Sequence, residues 1–189
     1  YCLNDCAKIN LAKVLEVTLD EYMAEPVAPR SVADLWDRYV DHLAEAVATM
    51  ADVFDFHVQH KHDVFPELAL DLCCYGPIER GLDASHGGVD YYNFGLDAAA
   101  LATTADSFAA IEQRVEQEGR LTWEALHAHL QADWAGPEGE RARLMVRGIP
   151  RYGSGGSRAD EWALRITEAF VRLVKQGPTP DGYNMIPGH

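Results

Sequence analysis

Several clusters in this sequence carry residue types that do chemistry. His57, His60 and His62 lie close together in the polar stretch HVQHKHD. On a helix, His57 and His60 share one face at i,i+3, while His62 falls elsewhere and Lys61 repels a cation. This pattern reads as a solvated helix end. Cys2 and Cys6 stand in a C-x3-C spacing used by some metal sites, but no second ligand pair follows at a recognisable distance. No metal ligands are therefore assigned, and a zinc protein built on His57, His60, Cys2 and Cys6 is the weakest of the readings carried forward. The remaining cysteines, Cys73 and Cys74, are adjacent and are expected to act as small buried apolar residues. The loop Tyr75 to Gly88 holds Glu79, Arg80, Asp83 and His86 among four glycines, a composition that often carries function. The Gly-rich run PRYGSGGS (150–157) lacks the GKS or GKT ending of a phosphate loop and follows no strand, which argues against nucleotide binding.

The segments that must position these residues are mainly helical. Ile9 to Leu19 has Leu11, Val14, Leu15 and Leu19 at helical spacing, with Asn4 or Asp5 available as a cap. Ser31 and Asp34 open a long helix whose apolar face runs from Leu35 through Tyr39, Leu43, Val47 and Met50 to Phe54, ending near His60. Pro66 to Cys74 predicts another helical turn or two. The stretch VDYYNF (89–94) suits a half-buried strand, and the small residues Gly95, Ala98, Ala99, Ala100 and Ala102 predict a tightly packed turn. Helices follow over 106–115, from Thr122 to Trp134, over 138–146 and over 160–175. The last residues, GYNMIPGH, enter another strand.

Composition narrows the classes. A chain of 189 residues that is 48% hydrophobic can bury a sizeable core. Its net charge of −14, without any basic run, argues against a nucleic-acid partner. No apolar stretch reaches membrane-spanning length, and no secretory signal opens the chain. A cytoplasmic location with reduced thiols is expected. The chain does not begin with Met, and both ends read as cut, so an internal fragment of a longer protein is expected.

The order of motifs resembles the glycyl radical enzymes, the pyruvate formate-lyase and glycerol dehydratase-like family. INLAKVLEVTL (9–19) resembles the N-L-x-K helix that follows the family's thiyl cysteine. HGGVDYYNF (86–94) resembles its G-G-x-x-Y-N strand, and LATTADSFAAI (101–111) its A-D-S-L-x-A-I helix start. IPRYGSGGSRADEWA (149–163) resembles its P-x-[FY]-G-N-D-x-x-x-V-D-x-x-A segment, although SGGS replaces the usual G-N-D. GYNMIPGH resembles the stretch just before its T-P-D-G-R region.

This resemblance implies an α/β (α+β) fold: a mostly helical slice of a ten-stranded barrel, with residues 1–189 part of one barrel domain truncated at both ends. It implies an enzyme that uses a thiyl radical to cleave a C–C, C–O or C–N bond of a small substrate, either a lyase or dehydratase or a formate acetyltransferase-like transferase. The parent would belong to anaerobic metabolism, be homodimeric, and carry an organic radical on a glycine, installed by a radical-SAM activating enzyme. No cofactor is expected in this chain, and neither catalytic radical residue is expected within it. No R-V-x-G-[YF] motif occurs, the thiyl cysteine falls upstream of Tyr1, and Cys73-Cys74 follows N-L-A-K instead of preceding it. One substrate-binding residue is implied. Lys8 stands two residues ahead of Asn10, where pyruvate formate-lyase has a carboxylate-binding Arg. A Lys there holds an anion as a point charge, without the bidentate fork of Arg. Cys2 and Cys6 would lie near the same wall. The competing reading is a self-contained acidic helical binding domain without catalysis.

Overall fold

The computed structural model describes residues 7–26 and 29–188. In chain order the elements are β1 (Ala7–Asn10), α1 (Leu11–Ala24), α2 (Val32–Val64), α3 (Leu68–Asp71), α4 (Pro77–Arg80), β2 (Asn93–Ala99), α5 (Leu101–Ile111), α6 (Trp123–Gln131), α7 (Gly136–Arg147), α8 (Arg158–Val174) and β3 (Asn184–Gly188). The three strands form one sheet in the order β1-β2-β3, with β2 and β3 parallel. A mostly helical chain with a small sheet is the expected fold class. None of the described helices is long and apolar enough to cross a membrane.

The chain divides into two compact units, and α2 and α8 each contribute residues to both. The first unit contains 44–98 and 171–189 together with the start of the chain. Its core is the inner face of β2 against the second half of α2. Phe94 stacks on Phe54 with ring centroids 4.8 Å apart, and Tyr183 meets Phe94 edge-on at 5.5 Å. Val47, Ala51, Val58, Leu96, Ala98 and Val174 are buried in the same unit. The turn before β3 is tied to α2 through polar groups. Asp55 accepts a hydrogen bond from the Asp181 N–H at 2.8 Å, and Gln59 donates to the Asp181 carboxylate at 2.8 Å. Thr179 closes the turn, its N–H donating to the Tyr183 carbonyl at 2.8 Å.

The second unit contains 10–43 and 99–170. An aromatic cluster fills it. Phe108 lies 4.7 Å from Trp162, 5.2 Å from Tyr39 and 5.6 Å from Trp36, centroid to centroid. The Arg165 guanidinium caps the cluster, 4.2 Å from the Trp36 ring and 4.8 Å from Trp162. Beside it sits Glu112, buried where α5 widens into a π-type turn over Glu112–Gln117. Its carboxylate accepts two hydrogen bonds from Arg158, at 2.6 and 2.7 Å, and one from the Trp162 indole at 2.8 Å. The Arg158 hydrogen bonds outweigh burial and hold the Glu112 carboxyl below the usual glutamate range.

Several boundaries differ from those read from the sequence. Asn10, not Asn4 or Asp5, caps α1, its side chain accepting from the Lys13 N–H at 3.1 Å; Asn4 and Asp5 lie outside the described residues. The strand is Asn93–Ala99, later than VDYYNF, so Gly95, Ala98 and Ala99 are strand residues. The turn is compressed into Ala100, whose φ of 66° reverses the chain into α5. Helix α5 therefore starts at Leu101, ahead of the expected 106. Ser31 and Thr122 do cap their helices, accepting from the N–H groups of Asp34 and Ala125 at 3.1 Å each.

Two outcomes follow from the second unit's packing. Phe108→Ala should lower unfolding free energy by about 3–5 kcal/mol, because it leaves a cavity amid three rings; urea denaturation reads this directly. Because its folded-state pKa is depressed, Glu112 stabilises the fold above the ordinary glutamate range, and that stability is lost as pH falls through the folded pKa. The stability gap between the wild type and Glu112→Gln should be flat near neutrality and shrink on acidification below that range, measured by denaturation at stepped pH.

Candidate functional site

Strand geometry sends alternate side chains to opposite faces. In β2, Phe94, Leu96 and Ala98 are buried, while Asn93, Asp97 and Ala99 are only partly so. The parallel register sets Asn93 against Asn184, Gly95 against Ile186 and Asp97 against Gly188. In β1, Ile9 is buried and Lys8 is exposed. The sheet thus has an apolar face packed on α2 and a second, partly exposed face on which Asn93, Asp97 and Asn184 stand beside the buried Gly95 and the exposed Ile186, while Lys8 is exposed on the flanking strand β1. Asp is disfavoured in strands, so its presence mid-strand on that face needs an explanation other than folding. Gly188 makes the space for it, since a methyl group there would collide with the Asp97 carboxylate. Lys8, the one substrate-binding residue expected from the sequence, lies on β1, the neighbour of β2.

The other chemistry-bearing clusters are consumed by structure. In the loop 75–92, Asp83 accepts from the N–H groups of Glu67 at 2.6 Å and Ser85 at 2.8 Å. Burial raises its pKa, but these hydrogen bonds, with the Ser85 hydroxyl and the Asp71 side chain, prevail and lower it. Asp71 accepts from the Ala84 N–H at 2.7 Å. Arg80 donates to the Gly88 carbonyl at 2.9 Å and pairs with Asp90. Glu79 accepts from the Gly76 N–H at 3.1 Å, and the His86 ring stacks on His62 with centroids 3.6 Å apart. His60 hydrogen-bonds the Phe56 carbonyl at 2.8 Å through Nδ1 and stacks on the Phe56 ring. Burial, helped by Lys61, lowers the His57 pKa. Among the described residues no three His, Cys, Asp or Glu side chains gather as a metal site. Cys2 and Cys6 lie outside the described residues.

Cys73 and Cys74 correct the expectation of burial. Both are free thiols, with Cys73 exposed and Cys74 half-buried. The reason is local: α3 spans only Leu68–Asp71 and buries none of its residues, so the pair has no apolar surface to pack on.

The Gly-rich loop is likewise a structural device. Asp160 accepts from the N–H groups of Gly153 at 2.7 Å and Ser157 at 2.9 Å, hydrogen bonds that hold its carboxyl below the usual aspartate range. Asp106 accepts from Arg151 at 2.7 Å and from the Tyr152 N–H at 2.8 Å. The positioning roles of Asp106, Asp160 and Asp55, and the placement of Asp97, went unmarked in the sequence. An acidic residue inside a strand segment was the one available signal, and only for Asp97.

The whole of residues 1–189 matches the model of the family described as pyruvate formate lyase-like. The chain belongs to this family. Its members among the relatives are glycyl radical enzymes. The chain is 26% identical over 152 residues to the Escherichia coli K12 protein named "Probable dehydratase YbiW", covering 79% of this chain and 18% of that protein. It is 31% identical over 108 residues to the (2S)-3-sulfopropanediol dehydratase of Klebsiella oxytoca, covering 57% of this chain and 13% of that enzyme. In fold it is similar to the B12-independent glycerol dehydratase of Clostridium butyricum, with a TM-score of 0.79 at 20% identity over 95% of this chain and 24% of that structure. The pyruvate formate lyase-like chain therefore spans about a fifth of the length of the relatives it matches, and its fold is that of a slice of the glycyl radical enzyme architecture.

The second sheet face depends on β3 being held in register. Asp55→Ala removes the acceptor for the Asp181 N–H and should cost about 1.5–3 kcal/mol, the net worth of a hydrogen bond to a charged group. Hydrogen exchange should show faster exchange of the β3 amides, with the α5 amides unchanged.

Proposed function

We propose that this chain forms one substrate-facing wall of a glycyl radical lyase or dehydratase that uses a thiyl radical to cleave a C–O, C–C or C–N bond of a small molecule. The observation that carries the reading is the family match over all 189 residues, combined with the polar residues Asn93, Asp97 and Asn184 that the sheet carries on the side away from α2. The relatives named as dehydratases favour C–O cleavage over formate acetyltransfer. Lys in place of the carboxylate-binding Arg points the same way.

The radical, carried by a glycine and relayed through a cysteine of the assembled enzyme, would supply hydrogen-atom abstraction. The residues of this chain do other work. Lys8 attracts an anionic substrate group as a point charge, and Asn93, Asp97 and Asn184 orient the molecule. The apolar face, packed on α2 through Phe54 and Phe94, keeps water away from the back of the sheet. The partners that go with this reading are a radical-SAM activating enzyme and a second subunit, in an anaerobic cytoplasm.

The test is the enzyme that carries this segment, treated anaerobically with its activating enzyme and S-adenosylmethionine. A glycyl radical signal in electron paramagnetic resonance, with conversion of a 1,2-diol to the aldehyde and water, is the expected result. Conversion of pyruvate and coenzyme A to formate and an acyl thioester would overturn the dehydratase reading, and absence of any radical would overturn the catalytic one. Lys8→Ala should raise KM for an anionic diol about tenfold, the order of one charge-assisted contact, with kcat little changed.

A further inference from the structure

We propose that Cys73 and Cys74 form a redox-active vicinal dithiol, closed to a Cys73–Cys74 disulfide by a small-molecule disulfide oxidant, and that closure loosens the loop leading into β2. The proposal stands apart from the catalytic reading and does not depend on it.

Nothing in the packing accounts for the pair. Free cysteine is among the most buried residue types. Here both thiols are free, Cys73 is exposed and Cys74 half-buried, and neither sulfur has a hydrogen-bond partner among the described residues. The helix before them, α3, buries none of its residues. Adjacency in the chain keeps a second thiol at hand to resolve any mixed disulfide formed on the first. The difference in exposure assigns the roles: Cys73 meets the oxidant, and Cys74 resolves.

The reaction is a thiol–disulfide exchange. The Cys73 thiolate attacks one sulfur of the oxidant R–S–S–R, forming a mixed disulfide and releasing R–SH. The Cys74 sulfur then attacks the Cys73 sulfur, forming the bond between them and releasing the second R–SH. The two thiol protons leave on the two R–SH molecules, the pair loses two electrons and the oxidant gains them. Adjacent Cα atoms across a trans peptide lie about 3.8 Å apart, closer than the roughly 4.4–6.8 Å of ordinary disulfides. The ring is therefore strained, and excess thiol reopens it, as in regulatory disulfides.

The backbone couples this chemistry to the loop. The Cys73 and Cys74 N–H groups both donate to the Leu70 carbonyl, at 2.8 and 3.0 Å. Successive side chains on a helical turn do not face each other, so the ring closes only as this turn opens and those hydrogen bonds break. They form the C-terminal end of α3, which spans only Leu68–Asp71. That end of the helix holds the loop that follows. The Asp71 carboxylate accepts from the Ala84 N–H at 2.7 Å, and the Glu67 N–H donates to Asp83 at 2.6 Å. Unwinding α3 frees the Ala84 N–H and loosens residues 84–92, which enter β2 at Asn93.

The experiment uses the enzyme carrying this segment, radical-free and under nitrogen, equilibrated in graded mixtures of glutathione and glutathione disulfide. Samples are alkylated, digested and read by mass spectrometry. The peptide holding Cys73 and Cys74 should lose two hydrogens and escape alkylation, and excess glutathione should reverse both. Cys74→Ser should stop at a mixed disulfide on Cys73, and Cys73→Ser should react about tenfold more slowly. Hydrogen exchange at Ala84 should run about tenfold faster in the oxidised wild type than in the reduced, the order expected for losing a hydrogen bond to a charged group. The α5 amides should not change, and both serine variants should keep the reduced rate at Ala84 in every mixture. Mixed disulfides without ring closure, or thiols that stay reduced in the most oxidising mixture, overturn the proposal. A ring that forms without faster exchange at Ala84 overturns the coupling to the loop.

Discussion

The period-two division of β2 is the constraint on which the site depends. Phe94, Leu96 and Ala98 must face α2, because Phe54 offers a ring to stack on and no other face of the strand is apolar. A slip of one residue would carry Asn93 and Asp97 into that core and bring Phe94 into water, at a cost that fixes the register. Once the inner face is set, the outer one follows. Asn93 and Asp97 are left half-buried on the opposite side, with Gly188 across from Asp97. Folding and presentation are thus one event, with the buried half of the strand determining the direction of the polar half.

The second unit shows a different use of acidic residues. Glu112 is buried among aromatic rings, yet its carboxylate is tied to Arg158 and the Trp162 indole. That arrangement fixes the rotation of α8 against the end of α5 within this unit. The π-type widening at Glu112 is the local backbone change that turns the carboxylate inward. Asp106 and Asp160 hold the Gly-rich loop between α7 and α8 in the same way, by accepting backbone N–H groups. Acidic side chains in this chain therefore do a large share of the structural work that its high negative charge does not suggest. Against that background Asp97, which accepts from none of the described residues, stands apart.

Much of the helical framework was legible in the sequence because long amphipathic repeats leave a strong period. The helices α2, α6 and α8 and the caps at Ser31 and Thr122 followed from spacing alone. The strand was located but displaced. VDYYNF carries the β-formers, yet Asp90 pairs with Arg80 and Tyr92 hydrogen-bonds the turn 84–87, so these residues finish a loop. The ladder begins only at Asn93, where β3 supplies partners. The adjacent cysteines misled for a related reason: composition predicts burial, but burial needs a surface to pack on, and α3 is too short to provide one.

The sequence alone determined the family, the helical framework and the position of Lys8 ahead of the first helix, because each rests on short-range patterns of residue type. Only the tertiary structure decided which polar groups are spent on folding and which remain available. Asp83 carries the same chemistry as Asp97 in the sequence, and the two differ only in what the folded chain places next to them. That difference arises from contacts between segments far apart in the chain, above all the pairing of β2 with a strand some ninety residues later that sets a glycine opposite Asp97. Hydrogen-bond satisfaction is a property of three-dimensional neighbours, and no periodicity along a sequence encodes it.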